Sequence, residues 1–169
     1  MILARILAVG LGSNGQKKDF LMKVDKFKRL ATVRISTGGR LDVNFFLGYS
    51  SKMHPGRELI IDVLNSDRSF IPLEDLFRDE ILMIGKNRFM EVEPSERDLL
   101  PETLDAHKIP VQIELIYGDV TEGIFYSDLP PDRLRLSDYL NHTPQFIYLC
   151  REQGDAILNK DYILSLKHR

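Results

Sequence analysis

The stretch Asp138–Leu149, DYLNHTPQFIYL, is echoed earlier in the chain at Asp62–Leu73, DVLNSDRSFIPL. Asp, Leu, Asn, Phe, Ile and Leu occupy the same places in both, 76 positions apart. Self-similarity on this scale indicates that a supersecondary unit occurs twice. Most of the shared residue types cap helices, make turns or fill a core, so the repetition predicts a scaffold rather than an active site divided between two segments.

The similarity extends to both sides of these two segments. We align VRI at Val33–Ile35 with VQI at Val111–Ile113 upstream, and Ile81–Glu93 with Ala156–His168 downstream. The spacing drifts by only two residues either way, which small differences in loop length explain. The repeated unit is therefore about 60 residues long, the size of a small domain.

The second copy of the unit shows its elements most clearly. Two β-rich runs surround a turn at Gly118 and Asp119, and PPDRLRLSDYLNH then predicts a short helix that Ser137 or Asp132 could cap. An apolar strand follows, and two last strands are joined by a tight turn at Asn159–Asp161. This order predicts a small barrel or a strongly bent sheet.

The predicted fold is β-rich α+β, with two tandem pseudo-symmetric small β-barrel units, short helices and an N-terminal amphipathic helix. We divide the chain into a tail and basic helix (1–31), a first barrel (32–93), a charged linker (94–110) and a second barrel (111–169). A helical turn is expected inside the linker, which is bounded by prolines.

The segment ILNKDYILSL, Ile157–Leu166, resembles the last two strands of SH3-like and Sm-like small barrels, which a single helical turn joins. The whole unit is similar to an uncharacterised bacterial domain family with a late LN…FI…LNK pattern. The likeness covers 111–169 well and 33–93 more loosely, because Ile84–Lys86 reads IGK in place of LNK. It implies a non-enzymatic module without a cofactor.

Composition sets outer limits on the class of protein. Of 169 residues, 43% are apolar and 28% are charged, and the net charge is −2, which is typical of a soluble globular protein. The single cysteine excludes an internal disulfide and fits a reducing compartment. The apolar start, interrupted by Arg5, is shorter than the roughly 20 residues of a membrane helix, so we expect a cytoplasmic protein without a membrane span.

Residues 17–30, KKDFLMKVDKFKRL, carry Phe20, Val24, Phe27 and Leu30 at helical spacing and predict an amphipathic helix. Residues 17–40 hold eight basic groups and two acidic ones. Such a concentration could attract an acidic protein, a phosphate backbone or an anionic lipid. The simpler alternative, which we favour, is a solvated face that complements the protein's own acidic surface.

A second candidate segment, Phe45–Arg57, mixes aromatic and basic side chains, the pattern that binds unstacked bases. Alternating aromatic residues are, however, more often part of a strand's packing face. Together the two segments give these candidate binding residues: Lys17, Lys18, Lys23, Lys26, Lys28, Arg29, Arg40, Phe46, Tyr49 and Arg57.

Three patterns could carry other chemistry. Gly10, Gly12 and Gly15 form G-x-G-x-x-G before the predicted helix, but the strand-rich remainder lacks the β-α-β units of a dinucleotide fold, and a simple turn is the better interpretation. Asp62 and Asp138 could share a proton, but neither lies in an exposed glycine turn. We expect each to cap or tether its own helix.

The remaining reactive side chains give no catalytic pattern. Four histidines are scattered without metal-ligand spacing, and Cys150 lies in an apolar strand, so we expect surface histidines and a buried thiol. A nucleophilic pair of Cys150 with His142 or His168 has no evident third group to orient it.

The sequence therefore predicts a protein-interaction or regulatory adaptor with a protein partner, no enzymatic activity and no metal or other cofactor. The alternative is a nucleic-acid or nucleotide binder that uses the basic N-terminal segment. A homo-oligomer is compatible with exposed strand edges.

Overall fold

A computed structural model describes residues 26–52, 56–98, 106–130 and 135–169. These residues form ten strands and two short helices, arranged in the same order in a first half and a second half. The first half contains β1 (Lys26–Ile35), β2 (Arg40–Gly48), α1 (Ile60–Asn65), β3 (Phe70–Asp75), β4 (Glu80–Gly85) and β5 (Phe89–Pro94). The second half contains β6 (His107–Leu115), β7 (Val120–Ser127), α2 (Leu136–His142), β8 (Phe146–Leu149), β9 (Ala156–Asn159) and β10 (Ile163–His168). A 3-10 turn precedes the last strand of each half, at Lys86–Arg88 and at Lys160–Tyr162.

The strands lie in two antiparallel sheets. One has seven strands in the order β4-β3-β2-β1-β5-β9-β8, and the other has three in the order β10-β6-β7. A bridge between Ile124 and Cys150 connects β7 to the end of β8. All ten strands therefore follow one another laterally, from β4 at one end to β10 at the other.

Equivalent strands of the two halves pair in equivalent registers. Ile35 opposite Phe89 corresponds to Leu115 opposite Ile163, each beside a bulge. The first hairpin of each half turns through a glycine with positive φ, Gly38 at 86° and Gly118 at 84°.

Those two turn glycines set the alignment of the first hairpins. They make Val33 equivalent to Ile113, so our alignment of VRI with VQI is wrong by two residues. Sequence similarity over three residues was a weaker guide than the hairpin turn.

Two sequence predictions need correction. Residues 26–30 belong to strand β1 and not to the predicted helix over 17–30, whose other residues lie outside the described ones. Phe27 and Leu30 have helical spacing, but pairing with β2 along the whole strand decides the conformation. The linker predicted over 94–110 is also shorter, because β5 reaches Pro94 and β6 begins at His107; its predicted helical turn falls on undescribed residues.

Over the described residues, neither half closes into a separate barrel. The 3-10 turn after β4 directs β5 to the opposite edge of the first half, where it pairs with β1. The other side of β5 then pairs with β9 of the second half. The β-rich character was predicted correctly. The pairing of β5 with β9 between the halves was not predicted.

Two apolar clusters form the core, and the β8–β9 hairpin lies between them. Phe146, Tyr148 and Ile157 pack into the first cluster, around the first half, while Ile147 and Leu149 pack into the second. A strand that is buried on both faces needs apolar residues at successive positions, which explains the run FIYLC.

Pairing of β5 with β9 joins the halves. Glu91 lies opposite Leu158 and Val92 opposite Ile157, all four of them buried. We call this pairing and the contacts around it the internal joint.

Two asparagines complete the internal joint. The Asn65 side chain, at the end of α1, donates to the carbonyl of Phe146 and accepts from its N–H, both at 2.9 Å. Asn159 Nδ2 donates to the carbonyl of Phe89 at 2.8 Å. Each amide thus satisfies main-chain groups of the other half.

Glycine is required at position 123, where β7 approaches β8. A Cβ there would lie 2.6 Å from the carbonyl oxygen of Cys150 and 2.7 Å from Leu149 Cγ. Gly123 therefore permits the contact that links the two sheets.

Replacing Gly123 with alanine should lower the free energy of unfolding by about 1–3 kcal/mol, because backbone must shift to admit the methyl group. Chemical denaturation of the purified variant measures this. Gly39→Ala is the control, since its Cβ would meet Ile35 at an ordinary 3.7 Å. Equal stability of the two variants would show that the approach of β7 to β8 is not tight.

Asn65→Ala should lower the free energy of unfolding by about 2 kcal/mol, because two main-chain groups of Phe146 lose their partner. Asn141→Ala, at the equivalent exposed position of α2, should change it by less than about 0.5 kcal/mol in dilute protein. Denaturant titration at low protein concentration tests both. Similar losses for the two variants would contradict the role of Asn65 in the internal joint.

Candidate protein-interaction site

The β3–β4 hairpin forms one end of the lateral strand order. Among the described strands, β4 pairs only with β3, so its other edge presents main-chain N–H and C=O groups without strand partners. On the outer face of this hairpin lie Phe70, Pro72, Ile81 and Met83, with Pro72 directly opposite Met83. We call these four side chains the open face.

The open face follows from strand alternation. Ile71 and Leu73 point inward and are buried, so Phe70 and Pro72 must point outward. Phe70 is 58% exposed and Met83 is 59% exposed. An edge strand with large exposed apolar residues is the kind of surface that another chain covers.

The turn at the end of this hairpin is held locally. Asp75 Oδ1 accepts from the N–H groups of Phe77 at 2.9 Å and Arg78 at 3.1 Å. Asp79 has a positive φ of 54°, a conformation that Asp adopts more easily than most residues. The open face is thus carried by a hairpin with a defined turn rather than by a loop.

Phe46, a candidate from the sequence, extends the open face onto β2. Its neighbour Phe45 is buried opposite Leu73, so Phe46 points to the outer side. Lys28 lies opposite Phe46, and Lys26 Nζ donates to the Phe46 carbonyl at 3.4 Å. Burial, with a smaller contribution from Arg68, lowers the pKa of Lys26.

Tyr49 and Arg57 meet elsewhere, at the ring of Phe27. The Tyr49 ring centroid is 5.7 Å from that of Phe27, and the Arg57 guanidinium lies 5.3 Å from the same ring. The candidates of the Phe45–Arg57 segment therefore divide between two places.

Several described basic candidates form ion pairs with carboxylates of the same protein. Lys28 contacts Glu74 at 2.5 Å, which is the main reason why the pKa of Glu74 is lowered. The other pairs are Arg29 with Glu96 and Asp98, and Arg40 with Glu93. Lys17, Lys18 and Lys23 lie outside the described residues, as does the glycine-rich motif at 10–15.

The two repeated aspartates lie in helix first turns, Asp62 in α1 and Asp138 in α2. Asp62 Oδ2 accepts from the Leu59 N–H at 2.9 Å and from Ser51 Oγ at 3.1 Å, which confirms a capping role there. Ser137 does not cap α2, because the helix starts at Leu136 and Arg135 occupies the N-cap position; Asp132 lies outside the described residues.

An open, mostly apolar pocket of about 270 Å³ lies between α1 and β8. Cys150, at its wall, is buried, and burial together with the charge of Asp155 raises the pKa of the thiol to about 11. A ring nitrogen of His142 is 2.7 Å from the carbonyl of Asp138. This environment favours the inert thiol over the thiolate that nucleophilic catalysis needs.

Within the part of the chain that the structure describes, no three His, Cys, Asp or Glu side chains come together as a metal site. Neither described helix has the length and apolar character needed to cross a bilayer. No protein-family model, curated protein or solved structure matches the chain.

Sequence reasoning missed Phe70, Ile81 and Met83. The available signal was the apolar segment ILMIG, Ile81–Gly85, which has hydrophobic residues at successive positions like a strand that is buried on both faces. In the folded chain only one of its faces is covered.

Native Cys150 should react with iodoacetamide at pH 8 about 100-fold more slowly than in denaturant. A thiol pKa of about 11 instead of 9.0 lowers the thiolate fraction by that factor, and burial slows access further. Mass spectrometry of quenched samples gives both rates. Comparable rates in folded and unfolded protein would mean that the thiol is accessible and ionisable.

Proposed function

We propose that the protein is a non-enzymatic interaction module that binds a protein partner along strand β4 and the open face. The observation that carries the proposal is the exposure of Phe70 and Met83 beside an edge of β4 that no described strand pairs. A partner strand added there would gain main-chain hydrogen bonds and cover the apolar side chains.

Several ionisable side chains of the described chain are engaged within the fold, which supports a non-enzymatic role. Asp62 caps α1, and the Cys150 thiol has a raised pKa. Tyr148 donates to Asp155 at 2.9 Å, and Asp155 also pairs with Arg97 at 3.0 Å. These groups hold loops and strands together inside the fold.

Nucleic-acid binding through the basic segment has less support. Lys28, Arg29 and Arg40 already pair with carboxylates, and each would have to give up that partner to contact phosphate. The pairs fit the simpler expectation that this segment complements the protein's own acidic surface.

An affinity capture from cell extract with the tagged protein tests the proposal. We expect one protein to be retained in stoichiometric amount, with or without nuclease, and to be lost with Met83→Glu. The control is Val120→Glu, which places the same charge at a similarly exposed apolar position on β7 and should retain the partner. Capture that Met83→Glu leaves unchanged, or that nuclease abolishes, would contradict the proposal.

A further inference from the structure

The two strands that pair in the internal joint have equivalents at the two ends of the molecule, and each of these equivalents has an unpaired edge in the described chain. A shift of 74 positions carries the 3-10 turn Lys86–Arg88 onto Lys160–Tyr162, β5 onto β10 and the end of β4 onto β9. In the internal joint β5 pairs with β9. Their equivalents, β10 and β4, are the two outermost strands and each pairs on one side only within the described chain.

Burial differs sharply between the equivalent positions. Ile157 is fully buried and Phe146 is 1% exposed, because the first half covers them. Their counterparts on the open face, Met83 and Phe70, are more than half exposed. The open face is thus the side of the hairpin that the internal joint covers in the second half.

The other partner strand shows the same contrast. Met90 of β5 is 1% exposed, whereas its counterpart Leu164 of β10 is 62% exposed. Ile163 and Leu166 of β10 pack against the second apolar cluster but remain partly accessible. Strand β10 therefore offers an apolar edge of the kind that β5 offers to β9.

The residues that form the asparagine contact are also present twice. Asn65 of the first half binds both main-chain groups of Phe146. Its counterpart in α2, Asn141, is exposed, and in the described chain no residue hydrogen-bonds its side chain. The counterpart of Phe146 is Phe70, on the open face. The repeated segments DVLN…FI and DYLN…FI thus each contain the Asn and the Phe of this contact. Within the described chain only Asn65 and Phe146 form it.

We propose that the partner of the open face is a second copy of this chain, whose β10 pairs antiparallel with β4. The register of the internal joint places Ser165 opposite Ile84 and Leu166 opposite Met83, and Asn141 of one copy binds the main chain of Phe70 in the next. This inference rests on the proposed function and names its partner.

The contact is head-to-tail, because each copy contributes a different edge to each side. Repetition of a heterologous contact produces a closed ring or an open filament. The contact between copies is weaker than the internal joint. Gly85 occupies the position equivalent to Asn159, and it has no side chain to donate the hydrogen bond that Asn159 donates to Phe89. Assembly should therefore be reversible and should depend on protein concentration.

Light scattering of the purified protein across a concentration series gives the first test. The mass should exceed 19.5 kDa at high concentration and return to it with Met83→Glu. Asn141→Ala should weaken association about 10-fold, since two hydrogen bonds per contact are lost. A wild-type protein that stays at 19.5 kDa throughout would overturn the inference, while leaving a different protein partner of the open face intact.

Cysteine pairing tests the register and direction. Met83→Cys and Leu166→Cys, mixed and oxidised mildly, should form a covalent dimer, because directly opposed residues bring their Cα atoms within disulfide distance. Neither variant alone should form one, and native Cys150 is buried. A dimer of Met83→Cys alone would indicate β4 pairing with β4 and overturn the head-to-tail contact. Circular dichroism checks that both variants fold, and the Met83→Glu mass measurement stands independently of them.

Discussion

Strands β8 and β9 are apolar on both faces, and the rest of the structure depends on what covers each face. The face that carries Ile147 and Leu149 packs into the second apolar cluster. The opposite face packs against the first half, in the first apolar cluster. Burying a side chain such as Phe or Ile contributes about 1.5–3 kcal/mol. Phe146, Tyr148 and Ile157 therefore stabilise the association of the two halves by an amount comparable to the stability of a small domain.

Polar groups give the internal joint its register. Arg151 contacts Glu91 at 3.1 Å and Glu93 at 2.8 Å across the joint. Burial, and then the neighbouring Glu93, raises the pKa of Glu91, while Arg151 opposes the shift. A slip of one residue would turn every side chain to the wrong face and separate these groups. Apolar burial supplies most of the affinity between the halves, and the polar contacts select one alignment.

The order of elements in the second half was predictable because turn glycines and short apolar runs encode them locally. The pairing of β5 with β9 was not, since strands so far apart in sequence leave no local signal. Strand β1 was mistaken for a helix at residues 26–30 because Phe27 and Leu30 suit either period over so few residues. Phe70 and Phe146 occupy equivalent positions in the two repeated segments, and only the tertiary structure decides which of them is buried.

That last difference is the reason why we propose a binding role for the ends of the molecule. Within the described chain, the basic candidates Lys28, Arg29 and Arg40 are balanced by carboxylates, while the two end strands keep apolar side chains in water. Surface ion pairs contribute little to stability, and because each charge is already balanced they do not require a further binding partner. Exposed apolar edges promote aggregation unless another chain covers them. Met83 and Phe70, rather than the basic residues, are therefore the side chains that we propose a partner covers.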